Sequence, residues 1–598
     1  MAATDDLLIG MAGAGGDGVI SAGESLITAA ALAGYHAILT KSFGPQIRGG
    51  ESSFRLRVAV EDVFAVTGTL DIAIALNWDD FLRFGSELPV GAGTTMIYES
   101  EGGPVPDAIS LAGVHSCDLV AAPITRLSKD AGSDKMKNTV VLGLLAEWLG
   151  VAPEALLGGV RRKFAKKGPA VLEANERAFA AGRGYAADHP LPAAKRLTSI
   201  DAPAVPKLLT DGNEMCGAAA IFAGCTFFGG YPITPSTEIM QYLGREIWQY
   251  GGVVFQAEDE IAGVAAVVGA SFAGKKAMTA TSGPGMSLKT EVLGLASIAE
   301  LPLVCVNVQR AGPSTGIPTK SEQADLFQAV FSAHGDVVRP VLAATDVRDM
   351  FATTVEAFNI AEEYQTPVIV LSDADIGQRK EVVDVVDTSA FRLVERRRPT
   401  LPELEKYQRF VITDSGISPL SEPGMPGGNY LASGIEHNEN GAPTASGAVH
   451  ARMTEKRSRK FATLTTRRDL FETHGPSDAP IGIVSWGSVS GVAREALALA
   501  MRSGVPAKLM VPRLLYPVAQ QVYEEFFASV RTGFVVEQSH QGQLYRLLRM
   551  FIELPQGMTS LSRSGSNPFT PLELMNHLRD RAIALERAAI PELETQSD

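Results

Sequence analysis

The chain has 598 residues, too many for one hydrophobic core, so we expect three or four domains. With 45% hydrophobic residues, 20% charged residues and 59 glycines spread among short apolar runs, the composition is typical of an α/β protein with many tight turns. The net charge of −14 argues against non-specific binding to nucleic acid, which requires a basic surface.

The sequence indicates neither a membrane protein nor a disulfide-linked one. No apolar run approaches the roughly 18 residues of a membrane span, and the acidic start of the chain argues against a signal peptide. Four cysteines lie among apolar or small residues without a C-x-x-C spacing, which predicts buried thiols rather than a disulfide framework or an iron–sulfur cluster. We therefore expect a reduced, cytoplasmic protein.

The chain begins with a predicted strand at Asp6–Met11, the glycine-rich segment Gly13–Gly18 and a helix from Val19 towards Ala33. Backbone N–H groups around Gly15 and Gly16 could hold a phosphate at such a turn. The alternative is a tight turn that lets helix and strand pack closely. An acidic ribose ligand about 20 residues on is absent, which argues against NAD.

A polar loop is predicted at Lys41–Ser53, followed by a half-exposed strand with alternating side chains at Phe54–Val58. Three apolar runs are expected to continue a parallel sheet: Ile72–Leu76, Thr95–Ile97 and Leu119–Ala122. A basic run follows at Arg161, Arg162, Lys163, Lys166 and Lys167; it is either a solvated helix face or a surface for a phosphorylated ligand or acidic partner. The proline-rich segment Ala186–Pro206 predicts a linker, so the first domain ends near residue 190.

The second domain opens with a predicted helix at 218–223 and a strand at 225–228, followed by Tyr231-Pro232-Ile233-Thr234-Pro235. Because proline fixes φ and restrains the residue before it, Thr234 is expected to present its hydroxyl and backbone in one orientation. The same segment could be a rigid turn that caps a helix from Ser236 or Thr237, with Glu238 in its first turn. The two functions are compatible.

A strand at Gly252–Gln256 precedes Ala257–Glu260, where an apolar helix begins. The helix dipole is enough to explain Glu258 and Asp259. Glu260, however, is followed by six small or apolar residues without a polar face. A carboxyl that enters a buried helix must be neutralised or hydrogen-bonded, so we predict that Glu260 is a functional acid.

Two further segments complete the region: a Gly283-Pro284-Gly285 turn before a helix to Glu300, and a loop from Arg310 to Thr319 after the strand Leu303–Val308. A planar, permanently charged donor such as Arg310 suits a carboxylate. All four segments between 231 and 319 follow a predicted strand and precede a predicted helix. We therefore expect them at one edge of a parallel sheet, where open α/β sheets bind ligands.

Taken together, these segments resemble the α subunit of the 2-oxoacid:ferredoxin oxidoreductases with the γ domain fused ahead of it. The motifs that carry the resemblance are Gly13–Gly18 and Ser42–Ser53 for the γ domain; Tyr231–Pro235, Glu258–Glu260, Ser282–Gly285 and Arg310–Thr319 for the pyrimidine-binding domain; Gly427–Tyr430, Gly434–Glu439 and Glu455–Arg457 for the family's long loop; and Ile481–Ser488 and Gly533–Glu537 for a transketolase C-terminal domain. The resemblance covers most of the chain.

The resemblance implies a multidomain α/β protein. The expected order is a Rossmann-like γ domain (1–190), a linker (191–206), a doubly wound parallel sheet that binds the pyrimidine of thiamine diphosphate (207–395), a long family loop (396–475) and a transketolase C-terminal-like domain (476–598). It further implies the oxidative decarboxylation of a 2-oxoacid with coenzyme A as the acyl acceptor and ferredoxin as the electron acceptor.

Residue roles follow from motif position. Glu260, with Glu258 as its competitor, is expected to hydrogen-bond to the cofactor's N1′ and to be catalytic with Thr234. Tyr231, Pro232 and Ile233 are expected beside the cofactor. Substrate binding falls to Arg310 and Thr319, together with Thr234, and Gly15 and Gly16 form the expected coenzyme A site.

Two parts of such an active site are missing from the sequence. There is no Gly-Asp-Gly followed by an Asn at the spacing that binds the diphosphate through Mg²⁺, and there is no cysteine cluster. We therefore expect a β subunit to supply thiamine diphosphate with Mg²⁺ and a [4Fe-4S] cluster, in a dimer of αβ heterodimers. No metal site is predicted in this chain.

The fused γ–α arrangement and the Arg310–Thr319 loop favour 2-oxoglutarate as the substrate, although pyruvate and branched-chain 2-oxoacids stay open. A scaffold that only orders the β subunit is a second hypothesis. A third is another thiamine enzyme: the γ domain argues against a sulfopyruvate-type decarboxylase, and the absence of cluster cysteines argues against the large chain of an indolepyruvate oxidoreductase.

Overall fold

The computed structural model describes residues 2–44, 50–85, 87–111, 117–191, 195–200, 205, 207–565 and 568–589. The chain divides into two compact units. The first unit contains Met1–Asp211 and Arg379–Val386, and the second contains Gly212–Gln378 and Asp387–Asp598.

The bounds of the elements are as follows. The strands are β1 (Ala2–Thr4), β2 (Asp6–Gly13), β3 (His36–Phe43), β4 (Ser52–Ala59), β5 (Ile72–Ala75), β6 (Thr95–Glu99), β7 (Asp118–Ala122), β8 (Lys195–Leu197), β9 (Leu208–Thr210), β10 (Cys225–Gly230), β11 (Val253–Gln256), β12 (Lys276–Thr281), β13 (Leu303–Gln309), β14 (Val341–Ala343), β15 (Pro367–Asp373), β16 (Lys380–Val383), β17 (Phe471–His474), β18 (Ile481–Ser485), β19 (Ala507–Pro512), β20 (Leu514–Tyr516), β21 (Thr532–Glu537) and β22 (Gly557–Ser562). The helices are α1 (Val19–Ala33), α2 (Trp78–Arg83), α3 (Asp107–Leu111), α4 (Ile124–Ala131), α5 (Lys137–Leu149), α6 (Pro153–Phe164), α7 (Pro169–Asp188), α8 (Gly212–Phe222), α9 (Thr237–Glu246), α10 (Glu260–Phe272), α11 (Gly283–Ile298), α12 (Leu326–Phe331), α13 (Val347–Tyr364), α14 (Ala374–Gln378), α15 (Leu401–Leu404), α16 (Gly447–Arg459), α17 (Val489–Arg502), α18 (Gln520–Phe527), α19 (Gln543–Phe551) and α20 (Pro571–Ala589).

The first unit is built on an eight-stranded mixed sheet in the order β7-β6-β5-β2-β4-β3-β16-β9. The strands β5, β6 and β7 continue parallel to β2, as the apolar runs predicted. By contrast, β4 pairs antiparallel with both β2 and β3. The alternation predicted in β4 is confirmed, but its polar face is covered more than expected, because Arg57 donates to Asp6 and to the carbonyl of Ala65.

Two connections in this unit contain more regular structure than the sequence predicts. Lys41–Phe43 ends β3 and Ser52 begins β4, so the predicted polar loop is shorter at both ends; Pro45–Gly49 lies outside the described residues. In the predicted linker, β8 pairs in parallel with β1, while residues 192–194, 201–204 and 206 lie outside the described residues. Pairing with a strand some 190 positions earlier leaves no local signature in the sequence.

The second unit contains two sheets. One has seven strands in the order β11-β10-β12-β13-β15-β14-β20, all parallel except β20. The other has five strands in the order β17-β19-β18-β21-β22, all parallel except β17. Helices pack against these sheets around a shared apolar core. The predicted fold class, a multidomain α/β protein with a doubly wound parallel sheet, is confirmed.

The helix predicted at 218–223 begins six residues earlier, at Gly212. The polar residue Asn213 does not prevent this, because its side-chain amide donates to the carbonyl of Pro235 and to Glu238. A further difference concerns the thiols: Cys216, Cys225 and Cys305 are buried as predicted, whereas Cys117 is only half-buried. Burial raises the pKa of the Cys216 and Cys225 thiols to about 12 and that of Cys305 to about 11.

The long segment 396–475 is mostly irregular and is held by buried ion pairs. Arg396 makes a two-pronged pair with Glu362, with both nitrogen–oxygen distances at 2.7 Å. Glu300, at the end of α11, lies between Lys456 and Lys460 of α16, and all three are less than 5% exposed. Within the segment, Glu436 pairs with Arg457 and His450.

Candidate active site

Four loops meet at one edge of the seven-stranded sheet. They follow the carboxyl ends of β10, β11, β12 and β13, which are neighbours running in parallel. Each loop leads into a helix: α9, α10, α11 and α12, respectively. The predicted convergence of these segments is therefore confirmed, at the position where parallel sheets bind ligands.

The loop after β10 is held through its backbone carbonyls. The side-chain amide of Asn213 donates to Pro235 O at 2.8 Å, and Nη1 of Arg310 donates to Thr234 O at 2.7 Å. Tyr231 and Thr234 are exposed, whereas Pro232 and Ile233 are half-buried. The Thr234 hydroxyl thus stands on an anchored backbone and faces solvent.

The helix cap predicted from this loop is wrong in one respect. Helix α9 begins at Thr237 with Ser236 before it, and Glu238 lies in its first turn as predicted. The Ser236 hydroxyl, however, donates backwards to Ile233 O at 3.0 Å and caps no N–H group of α9. The segment is a rigid turn without a side-chain cap.

The acidic cluster separates into exposed and buried members. Asp259 is the N-cap of α10, where Oδ1 accepts from the Ala262 N–H at 2.7 Å, and both Glu258 and Asp259 are exposed. Glu260 begins the helix and is only 8% exposed. Its carboxylate oxygens accept no hydrogen bond from any described residue, although its backbone carbonyl accepts from Lys289 Nζ at 2.9 Å.

The helix after Glu260 does have a face towards solvent, contrary to the prediction that it is buried all round. Ile261 is 46% exposed, and Ala262, Ala265 and Gly269 are exposed as well. On the neighbouring helix α11, Leu288 is 50% exposed. The apolar residues of the sequence are therefore shared between the core and an apolar outer surface.

The Gly-Pro-Gly segment is the first turn of α11 rather than a turn that precedes it. Proline is favoured there because its missing N–H has no partner in a first helical turn. Gly285 is required by close packing: a Cβ at this position would lie 2.1 Å from Thr281 Oγ1, 2.7 Å from Glu260 Cγ and 2.8 Å from Glu260 Oε1. The Glu260 carboxyl thus lies directly against Gly285.

Arg310 lies at the end of β13 and is 8% exposed. Its Nη1 holds the Thr234 carbonyl, while its Nε is buried without a partner among the described residues. Burial lowers the pKa of this guanidinium, and the nearby Asp325 acts in the opposite direction. Thr319 is exposed, in a loop closed by hydrogen bonds between Ala311 and the backbone of Ile317 and Lys320.

Asp325 is a residue of this site that the sequence did not reveal. Its Oδ2 accepts from Asn307 Nδ2 at 3.0 Å and would lie 2.9 Å from a Cβ on Gly283. Burial raises the pKa of the Asp325 carboxyl, which the hydrogen bond from Asn307 and the charge of Arg310 partly offset. Its position before a short helix resembles many surface caps, so no local pattern identifies it.

The segment that leads from the Arg310–Thr319 loop to Asp325 is held by the C-terminal part of the chain. Gln323 is fully buried; its side chain donates to Trp486 O at 2.6 Å and accepts from the Gln538 N–H at 2.8 Å. Gln543 accepts from the Phe327 N–H and donates to Ala324 O. The loop that carries Arg310 is therefore fixed by residues more than 160 positions away in the sequence.

In the first unit, Gly13–Gly18 joins β2 to α1 as predicted. Gly15 and Gly16 are exposed, and Gly16 has φ +111° with nothing within 4 Å of a Cβ. Asp17 accepts from the Ala14 N–H at 3.1 Å and pairs with Lys137, so one N–H group of the turn is already occupied. From the basic run, Lys163 contacts the Ser21 hydroxyl in the first turn of α1.

The described part of the chain contains neither a membrane-spanning helix nor a cluster of metal-binding side chains. No helix is long and apolar enough to cross a membrane. Over the same residues, no group of three or more His, Cys, Asp or Glu side chains is arranged to hold a metal ion.

Two family models match the chain. The model described as "Pyruvate ferredoxin/flavodoxin oxidoreductase" matches residues 9–185. The model described as "Pyruvate flavodoxin/ferredoxin oxidoreductase, thiamine diP-bdg" matches residues 218–456. The second range contains Glu260, Arg310 and the other residues of the sheet edge.

Individual relatives extend over nearly the whole chain. The 2-oxoacid:ferredoxin oxidoreductase 2, subunit alpha, of Aeropyrum pernix is 30% identical over 91% of this chain and 93% of that protein. The 2-oxoglutarate oxidoreductase subunit KorA of Mycobacterium tuberculosis is 31% identical over 91% of this chain and 87% of that protein. A solved 2-oxoglutarate:ferredoxin oxidoreductase from Magnetococcus marinus, with 2-oxoglutarate, coenzyme A and succinyl-CoA bound, is 36% identical with a TM-score of 0.92, covering 97% of this chain and 100% of that one. The chain belongs to the α subunits of the 2-oxoacid:ferredoxin oxidoreductase family.

Proposed function

We propose that this chain is the α subunit of a 2-oxoglutarate:ferredoxin oxidoreductase, which converts 2-oxoglutarate and coenzyme A to succinyl-CoA and CO₂ and passes the electrons to ferredoxin. The observation that carries the proposal is Glu260: it stands at the first position of a helix, the residue is only 8% exposed, and its carboxyl has no hydrogen-bond partner among the described residues. Because little water reaches this residue and no described donor serves its carboxyl, a ligand that hydrogen-bonds to it is expected.

The residues at this edge fit the aminopyrimidine of thiamine diphosphate. Because Gly285 has no Cβ, the Glu260 carboxyl packs directly against α11, and Arg310 Nε is a buried polar atom without a partner in the described chain. The chemistry that thiamine diphosphate supplies when bound is a nucleophilic carbon for the 2-oxo group and a sink for the electrons released with CO₂. Glu260 would hydrogen-bond to the pyrimidine N1′ and hold a proton there.

The loop after β10 would orient the cofactor and the substrate together. Tyr231, Pro232 and Ile233 would line the cofactor, and the exposed Thr234 hydroxyl would contact both the aminopyrimidine and the substrate. Because Arg310 donates to the Thr234 carbonyl, a movement of Arg310 on substrate binding would also move the loop that lines the cofactor. We therefore assign catalytic roles to Glu260 and Thr234.

Arg310 and Thr319 would bind the carboxylates of the 2-oxoacid. The Nε edge of Arg310 can donate to a carboxylate oxygen while Nη1 keeps its bond to Thr234. 2-Oxoglutarate, with a second carboxylate, gains from the additional hydroxyl of Thr319. The names of relatives support this substrate: one is a 2-oxoglutarate oxidoreductase subunit, and the solved relative contains 2-oxoglutarate.

Coenzyme A is assigned to the glycine-rich turn of the first unit. Gly15 and Gly16 are accessible there, and Lys163 brings the basic run beside α1. Asp17 works against a phosphate directly over Ala14, so the exposed N–H groups of Gly15 and Gly16 are the better donors. The solved relative has coenzyme A and succinyl-CoA bound, which supports the choice of co-substrate.

A β subunit is assigned the diphosphate, its Mg²⁺ and the [4Fe-4S] cluster that delivers electrons to ferredoxin, in a dimer of αβ heterodimers. The apolar outer surface supports such a contact, since Ile261 and Leu288 are about half exposed beside Glu260. The active site would then lie between the two subunits, and the cytoplasmic location stays a prediction.

The test compares Glu260→Gln with Glu258→Gln in the complex with the co-purifying subunit. Reduction of a viologen by 2-oxoglutarate and coenzyme A is measured. Glu260→Gln should lower kcat on the order of 100-fold or more, because proton transfer by a positioned acid contributes about 10²–10⁴-fold. The exposed Glu258→Gln should stay within about twofold of the wild type. Full activity of Glu260→Gln would instead support the scaffold hypothesis.

Substrate choice is tested separately by comparing kcat/KM for 2-oxoglutarate, pyruvate and 2-oxoisovalerate. We expect 2-oxoglutarate to be preferred by more than about tenfold, since a site built for a second carboxylate leaves polar groups unpaired with the shorter acids. A preference for pyruvate would overturn the substrate assignment and leave that of Glu260 intact.

A further inference from the structure

Lys289 on α11 is a buried cation for which neither the sequence motifs nor the proposed function assigns a task. Its side chain is 0% exposed, and Nζ donates to the backbone carbonyl of Glu260 at 2.9 Å. No carboxylate among the described residues lies within 4.0 Å of it. Lys289 is therefore a buried ammonium with one neutral acceptor and no ion pair.

The position of Lys289 relates it to Gly285. The two residues are four positions apart in α11, so they lie on one face of the helix, one turn from each other. Gly285 contacts the side chain of Glu260, and Lys289 holds the carbonyl of the same residue. One face of α11 thus fixes both the backbone and the carboxyl of Glu260.

The charges around Lys289 do not explain it as a structural ion pair. Burial lowers the pKa of its ammonium, while Cys305, Glu260 and Asp259 act in the opposite direction. Arg339, 1% exposed, also acts on Cys305 and is a second buried cation near it. Replacing buried charged groups with apolar residues of similar size is often neutral, so stability alone gives no reason for a cation at this point.

We propose that Lys289 is a positioning residue for Glu260, which holds the first peptide of α10 so that the carboxyl reaches the pyrimidine N1′ of thiamine diphosphate. The inference rests on the proposed function of Glu260. Without the bond from Nζ, the first turn of α10 can fray and the carboxyl loses its fixed position over Gly285. The bond to N1′ then weakens, while the remaining contacts of the cofactor persist.

The experiment uses the complex of this chain with its co-purifying subunit and two cofactors: thiamine diphosphate and its analogue with CH in place of the pyrimidine N1′. Dissociation constants are measured by calorimetry for the wild type, Lys289→Met, Lys276→Met and Glu260→Leu. Lys276 is the control: it is 8% exposed, donates to the carbonyls of Ala223 and Val394 and, unlike Lys289, pairs with a carboxylate, that of Glu395. Thermal unfolding of each complex is recorded alongside.

In the wild type, the analogue should bind on the order of 10- to 100-fold more weakly, as expected for the loss of a hydrogen bond to a charged group. Lys276→Met should keep this discrimination even if it lowers the melting temperature. Lys289→Met should reduce it to within about threefold. Lys289→Gln, shorter and uncharged, should give the same result and replaces Lys289→Met if that complex does not assemble.

Discrimination in the Lys289 variant equal to that in Lys276→Met would overturn the inference while leaving Glu260 in its role. Should Glu260→Leu, which cannot hydrogen-bond to N1′, keep the full discrimination, the carboxyl does not contact N1′, and the assignment of Glu260 falls together with that of Lys289. The two failures are thus separated by which variant retains the N1′ effect.

Discussion

Replacing Gly285 with alanine tests whether the Glu260 carboxyl depends on its contact with α11. The new Cβ would lie 2.7 Å from Glu260 Cγ and 2.1 Å from Thr281 Oγ1, whereas ordinary contact begins at 3.4 Å. The Glu260 side chain must therefore move by about 0.7 Å, and Thr281 or the start of α11 by about 1.3 Å. Because Thr281 is fully buried, its clash must be relieved by a shift at the start of α11, which displaces the surface that the Glu260 side chain packs against.

Misplacement of a catalytic group by about 1 Å costs on the order of 100-fold in rate. The effect on stability is much smaller: alanine gains up to about 1 kcal/mol over glycine within a helix, and overpacking costs about 1–3 kcal/mol. We expect Gly285→Ala to be destabilised by about 3 kcal/mol at most and to assemble normally. Its turnover of 2-oxoglutarate with coenzyme A and viologen should fall about 100-fold.

Gly294→Ala in the same helix is the matched control. A Cβ there would meet only His334 Cε1, at 3.7 Å, which is an ordinary contact. This variant should gain a few tenths to about 1 kcal/mol of stability and keep its activity. Activity of Gly285→Ala within twofold of Gly294→Ala would refute the close contact between Gly285 and a functional Glu260.

Three further predictions concern charged residues of the second unit. Arg310→Lys loses the planar guanidinium and should raise the KM for 2-oxoglutarate by about 10- to 100-fold. The control Arg502→Lys, at an exposed position, should leave this KM unchanged. Equal KM values for the two variants would contradict the role of Arg310. Glu300→Gln leaves Lys456 and Lys460 buried without their anion, so it should lower the free energy of unfolding in urea by about 3–5 kcal/mol. The control Glu291→Gln, at an exposed position of α11, should lower it by less than about 0.5 kcal/mol. Similar losses in the two variants would refute the buried pairing. Burial lowers the pKa of Lys460 from 10.5 to about 8, so between these two pH values the unfolded chain binds more protons than the folded chain. The stability of the wild type relative to Lys460→Met should therefore rise with pH, by about 3 kcal/mol at most. A stability difference that does not change from pH 7 to 10 would contradict this pKa shift.

The functional edge was predictable because its signals are local. Each loop follows a short apolar run, and prolines, glycines and charged residues mark its ends. Glu260 was separated from Glu258 by the apolar residues after it, and the structure indeed buries only Glu260 of the pair. The same argument wrongly predicted that α10 is buried all round, since apolar residues also form an outer surface, where Ile261 is exposed.

Residues whose position depends on tertiary contacts could not be predicted from the sequence. Lys289 is the lysine of an otherwise mostly apolar helix, α11, and a lone lysine in such a helix indicates a buried cation. No local pattern in the sequence, however, relates Lys289 to Glu260. Asp325 reaches the site only because β13 places Asn307 beside it. Likewise, β16 joins the sheet of the first unit and β20 the seven-stranded sheet, because pairing between distant strands depends on the whole fold.

The most direct test of the proposed function is the turnover of 2-oxoglutarate by the purified chain alone and after its co-purifying subunit is added. Coenzyme A, thiamine diphosphate, Mg²⁺ and a viologen are supplied in both assays. The proposal predicts no turnover by the chain alone and coenzyme A-dependent reduction of the viologen once the subunit is present. Robust activity of the chain alone, or none from the assembled complex, would contradict it.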